Sequence, residues 1–138
     1  MEKNILIHWN DLYLIGYDVV DSQHKKLIDI INRFYDAFSK AQAHYILGDI
    51  LREMNEYTQY HFQIEEELFE KYNYTEKDLH TKQHQYFINK TNAFLTGLEA
   101  QTITLSYDVM NFLKDWLLKH IQIEDRKYIP LLKENKLI

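Results

Sequence analysis

Four stretches of this chain repeat apolar residues at helical spacing, and each interrupts its apolar stripe with histidine or carboxylate. The first, about residues 21–40, carries Leu27, Ile28, Ile31, Phe34, Tyr35 and Phe38, with His24 on the same stripe. The second, about 45–72, sets His61 and Glu65 among Ile50, Leu51, Met54, Tyr57, Ile64 and Leu68. The third, about 75–97, carries His80 and His84 with Phe87, Ile88, Phe94 and Leu95. The fourth, about 104–128, joins His120 and Asp125 to Val109, Phe112, Leu113, Trp116, Leu117 and Ile121. Residues 1–20 keep no helical period and are read as an N-terminal arm. Four long amphipathic helices with short connections predict an all-α fold, an antiparallel up-down-up-down four-helix bundle. A bundle turns its stripes inward, so the seven polar side chains should meet in its core.

The boundaries follow local chemistry. Asp21 or Ser22 is a good N-cap for the first helix, and Thr75 for the third. Asn73 and Tyr74 break the second helix from the third, and Gly97 suits the residue after a helix end. The fourth starts near Thr104 or Ser106, ends around Asp125 to Tyr128, and is stopped by Pro130. The 138 residues fit one domain, 1–138. A net charge of −5 offers no electrostatic footprint for nucleic acid. No run of eighteen apolar residues is present, so the chain is not expected to be embedded in a membrane. The opening MEKNILIHWNDL lacks the apolar core of a signal peptide, which makes the cytoplasm the expected compartment. Cysteine is absent, so any metal must be held by nitrogen and oxygen.

The spacings within each group are chemically informative. Residues four apart on a helix share a face, about 6 Å apart at Cβ. His61 and Glu65 can therefore reach one centre, and His80 and His84 can bind one ion together. His120 and Asp125 are five apart, about 140° of rotation and about 7.5 Å of rise on an ideal helix. That geometry chelates one ion poorly and suits a carboxylate reaching across to bridge two, where the helix is distorted. Glu65 is the other candidate bridge. Seven ligands exceed a closed tetrahedral zinc site and suit two six-coordinate ions sharing two carboxylates. Imidazole with carboxylate and no thiolate favours iron, with manganese and zinc possible. Five histidines divide unequally, three on one ion and two on the other. With a solvent oxygen as third bridge, the two-histidine ion keeps one position free, where dioxygen could bind a reduced iron. A lone histidine on an apolar face is more often a satisfied core residue, and His8 and His44 are left in that class. Burying all seven groups without a common partner would be prohibitive.

On these residues the chain resembles the hemerythrins, in their single-domain bacterial form. The resemblance is carried by Trp9, by Gly16, Asp21, Gln23 and His24 in GYDVVDSQH, by HFQIEE from His61 to Glu66, by HTKQH from His80 to His84, and by WLLKHIQIED from Trp116 to Asp125. It spans Trp9 to Tyr128. It implies two iron ions bridged by Glu65, Asp125 and an oxo or hydroxo group, and reversible binding of dioxygen. By position, His80, His84 and His120 would hold the coordinatively full iron, and His24 and His61 the open one. The resemblance also implies a dry oxygen pocket facing the open iron, for which Leu27, Phe62, Trp116, Leu117 and Ile121 are the candidates. Tyr128 matches a family tyrosine and could support a ligand. The turn YNYTEKDLH lacks a proline often found there in the family, which bears only on that loop.

The expected function is thus oxygen carriage, storage or local supply, not catalysis. A di-iron enzyme acting on peroxide or nitric oxide, or an oxygen or iron sensor, is the alternative. Carboxylate-rich di-iron oxidases use Glu-x-x-His pairs, and this sequence contains none.

Overall fold

The computed structural model describes residues 4–100 and 103–138, without the side chains of 99, 100 and 103–105. Four helices form an antiparallel bundle: α1 Asp18–Ser39, α2 Ala43–Lys71, α3 Lys77–Thr96 and α4 Ile103–Lys119. A π-helical turn His120–Glu124 and a 3-10 turn Asp125–Tyr128 lead into a short α5, Ile129–Glu134. Among the described residues there is no strand, and no helix is long and apolar enough to cross a membrane.

The apolar residues form two separate clusters. The larger contains Leu27, Ile31, Phe34, Leu51, Met54, Phe62, Phe87, Val109, Leu113, Leu117 and Ile121. The smaller contains Ile15, Val20, Phe69, Tyr74, Tyr128 and Leu132. Each fully buried Leu or Phe contributes about 1.5–3 kcal/mol, so both clusters are strong local glue. On each helix of the bundle at least one of the polar residues falls between a member of one cluster and a member of the other. His24 lies between Val20 and Leu27, Glu65 between Phe62 and Phe69, His80 and His84 between Tyr74 and Phe87, and Asp125 between Leu117 and Tyr128. The seven therefore form a polar layer sandwiched between two apolar ones.

A second polar knot, centred on buried Asn55 and Thr91, ties α2 to α3 away from that layer. Asn55 Nδ2 donates to Thr91 Oγ1 at 2.8 Å and to Asn92 Oδ1 at 3.0 Å, and Gln59 donates to Asn55 Oδ1. Thr91 in turn donates to the Ile88 carbonyl, so the knot is internally satisfied.

The arm is stapled down rather than loose. Asn32 accepts from the amides of Leu6 and Ile7 and donates to the Ile7 carbonyl. Arg126 donates to the carbonyls of Leu12 and Leu14. Asp21 accepts from the amides of Ile15 at 2.8 Å and Gly16 at 3.1 Å.

Several boundaries differ from the sequence reading, each for a local reason. α1 begins at Asp18, because Gly16 at φ +94° turns the chain into the helix three residues early. Asp21 is then inside the first turn, and its carboxylate binds the arm instead of capping the helix. Thr75 does not cap α3, whose N-cap is Glu76 without a side-chain bond. Asn73 does make the break, at φ +55°. Gly97 ends α3 with φ −78°, passing into a 3-10 turn and not a left-handed cap. Thr104 lies outside the described side chains, and α4 already runs from Ile103, ahead of Ser106. Pro130 does not stop the chain's helical course; it occupies the first turn of α5, where its missing N–H is no loss.

Candidate metal centre

The polar layer brings together all seven residues expected from the sequence. Two overlapping sets of ligand atoms are each gathered within 4.8 Å: Glu65, His80, His84, His120 and Asp125 in one, and His24, His61, Glu65 and Asp125 in the other. The two carboxylates belong to both sets, and the histidines divide three to two. All seven are buried.

Each carboxylate faces both groups. Asp125 Oδ1 lies 2.9 Å from His80 Nε2 and 3.1 Å from His120 Nε2, while Oδ2 lies 3.0 Å from His24 Nε2. Glu65 Oε1 lies 3.2 Å from His61 Nε2 and 3.3 Å from His84 Nε2. Tyr128 Oη donates to the other Glu65 oxygen at 2.6 Å. The Glu65 carboxylate is thereby pinned with Oε1 turned to the centre.

The five-residue spacing of His120 and Asp125 is resolved by the backbone. The Asp125 amide donates to the His120 carbonyl, an i to i+5 bond that closes the π-helical turn. Such a turn brings residues five apart onto one face, which an α-helix would leave about 140° apart. The distortion expected from the sequence is thus a wide turn placed between the two ligands.

Several of these polar atoms have no hydrogen-bond partner although they lie close together. They are both ring nitrogens of His24, His84 Nε2, Glu65 Oε1 and both Asp125 oxygens. Buried acceptors crowded about a common point without shared protons are costly unless a cation fills the point. Nitrogen and oxygen donors in this number fit two divalent transition-metal ions. The electrostatics of both carboxylates and of His61 agree, while His84 would have to lose a proton to bind metal. Burial pushes the Glu65 carboxyl up, as does Asp125, but His61 and His84 outweigh both and hold it below the ordinary range. Asp125 is likewise raised by burial and pulled well below by His120, His24 and His80. Burial lowers His61, favouring the neutral ring that ligates metal. For His84, burial acts downward but Glu65 and Glu66 outweigh it, lifting the ring to about 9.

The family model of the hemerythrin HHE cation binding domain matches residues 15–132. The chain belongs to the hemerythrin family. A bacteriohemerythrin of Stenotrophomonas maltophilia (strain R551-3) is 31% identical over 128 residues, covering 93% of this chain and 82% of the relative. A hemerythrin-like protein of Naegleria gruberi is 30% identical over 125 residues, covering 91% and 92%. The crystal structure of a wild-type hemerythrin superposes with a TM-score of 0.80 at 25% identity, covering 92% of this chain and 98% of that one.

Around the hemerythrin centre, Leu27, Phe62, Leu117 and Ile121 are buried in the larger cluster, with half-buried Trp116 packed against it. Phe62 stacks on His84 at 3.8 Å between ring centroids, and Trp116 stacks on His120 at 4.5 Å. Both rings therefore cover histidines of the three-member group. His8 and His44 are exposed and apart from the centre. Two supports went unassigned in the sequence reading. Gln23 Oε1 lies 2.6 Å from His61 Nδ1, and Glu66 Oε2 lies 3.3 Å from His84 Nδ1. Both stand beside ligands in the motifs quoted above, but adjacency in sequence does not say which histidine each would meet.

Proposed function

We propose that this hemerythrin binds dioxygen reversibly at a pair of iron ions, as a carrier, store or local supplier, and is not an enzyme. The observation that carries the reading is the three-to-two division of histidines around two shared carboxylates. His80, His84 and His120 would hold one ion, and His24 and His61 the other. Glu65 and Asp125 would bridge them, joined by an oxo or hydroxo group. Iron held by these residues would supply the electrons for dioxygen binding. The two-histidine ion has fewer protein ligands, and that is where dioxygen would enter.

The rest is the work of the chain. Leu27, Phe62, Trp116, Leu117 and Ile121 exclude water from the pair. Phe62 and Trp116 do so by covering the ring faces of His84 and His120. Tyr128 fixes the orientation of Glu65 with a buried hydrogen bond. Burial, then the nearby Glu65 and Asp125, push the Tyr128 hydroxyl well above the ordinary phenol range. That hydroxyl donates to Glu65 at 2.6 Å. A dry, apolar lining suits release of an unchanged ligand.

The deciding experiment is anaerobic reduction of the iron-loaded protein followed by oxygen titration, read by visible absorption. Two irons per chain and a colour change that reverses on removing oxygen are expected. Rapid turnover of peroxide or nitric oxide with no stable oxygenated form would replace this reading with an enzyme. His120→Ala should lose iron, since one ion drops to two histidines; retention of two irons with reversible oxygenation would overturn the ligand assignment.

A further inference from the structure

The two histidine groups are braced from outside by chemically different partners. His61 Nδ1 meets Gln23 Oε1, a neutral amide only 5% exposed. His84 Nδ1 meets Glu66 Oε2, a carboxylate whose side chain is 35% exposed. Each partner accepts the Nδ1 proton, which leaves Nε2 with its lone pair toward the centre. The geometric task is the same on both sides, and the charge is not.

The placement of that charge follows from solvation. Glu66 lines an open surface groove with Gln63, Glu67 and Glu70, where water can stabilise an anion. Gln23 lies inside the bundle near two buried carboxylates, where a third would carry a large desolvation cost. The Glu66 contact is the longer, 3.3 Å against 2.6 Å for Gln23, so what sets it apart is the charge of its acceptor, which leaves the ring a better electron donor. Phe62, stacked at 5° on the His84 ring, already restricts its orientation. The contribution left to Glu66 is therefore mainly electronic.

We infer that Glu66 is a positioning residue that, acting through His84, makes the three-histidine position the tighter of two unequal metal positions, while neutral Gln23 leaves the two-histidine position weaker. The inference rests on the two-metal reading and adds a source of inequality beyond ligand count.

The test is anaerobic titration of the metal-free full chain with Co2+, read by the visible absorption of bound cobalt. Wild type should take two ions in two steps. Glu66→Gln should weaken the tighter step by about ten- to a hundredfold and leave the other unchanged. Glu66→Asp, which keeps the charge, should recover part of that loss. In the Zn2+-loaded protein, the downfield proton resonance of His84 Nδ1–H should move upfield in Glu66→Gln. A Glu66→Gln protein with both steps at wild-type strength, or with both weakened equally, overturns the inference while the two-metal reading stands. A wild-type chain that takes up no metal overturns both.

Discussion

Tyr128 and Glu65 stand sixty-three positions apart and meet in a 2.6 Å hydrogen bond with neither residue more than 1% exposed. Removing the hydroxyl leaves a buried carboxylate oxygen without its donor, a loss of about 1–3 kcal/mol. Tyr128→Phe should lower the urea midpoint of the metal-free protein accordingly; an unchanged midpoint would mean the bond contributes nothing to stability. Gly16 presents a different kind of constraint. A methyl group there would meet only Ile138 Cδ1 at 3.9 Å, so space is not the obstacle. The obstacle is φ +94°, which an L side chain tolerates poorly. Gly16→Ala should cost about 1–2 kcal/mol in the same assay. Both residues stood out in the sequence only through family likeness. What each does depends on a long-range partner or a backbone angle, and neither is written in local residue pattern.

At the scale of elements, the wide turn between His120 and Asp125 decides the ligand geometry. Deleting Ile123, a half-exposed residue within it, would set the two ligands four apart and allow an ordinary α-helix. Residues four apart on an α-helix share a face, so Asp125, Tyr128 and Leu132 would keep their facing, and only the local turn between the two ligands would tighten. The expected outcome is retained helical circular dichroism with weaker metal binding, because the narrower turn re-aims the Asp125 carboxylate without turning the chain beyond it. Retention of two ions per chain at undiminished affinity would show that the wide turn is dispensable. The helices themselves were legible because each buries one face, and burial writes a period of 3.6 into the sequence. The wide turn left a fainter trace, a five-residue ligand spacing that an ideal helix does not accommodate. Caps were read less well. Asp21 has the chemistry of an N-cap, and the competing demand of the arm amides of Ile15 and Gly16 took its carboxylate instead.

For the molecule as a whole, the polar layer makes stability depend on occupancy. The orphaned acceptors at the centre oppose folding unless cations satisfy them. A ligand at a thousandfold excess over its dissociation constant stabilises by about 4 kcal/mol. Stripping metal with a chelator should therefore lower the melting temperature, by roughly ten degrees for a chain of this size. Equal melting temperatures with and without chelator would count against a structural contribution from metal. The bundle and its seven converging residues were legible because amphipathic patterning and polar interruptions lie on the same stripes. The outer supports were not, since Gln23 and Glu66 reach across to other helices.

The Asn55–Thr91–Asn92 knot between α2 and α3 lies outside the polar layer and owes nothing to metal. Sliding either helix by one turn would part buried Asn55 from buried Thr91 and leave the Asn55 amide without its partners. The emptied protein is therefore kept in register as a ready-shaped receptacle. Loading becomes a matter of an ion shedding its water and slipping between helices already aligned, so its pace should track the exchange lability of the ion and not the speed at which the chain folds.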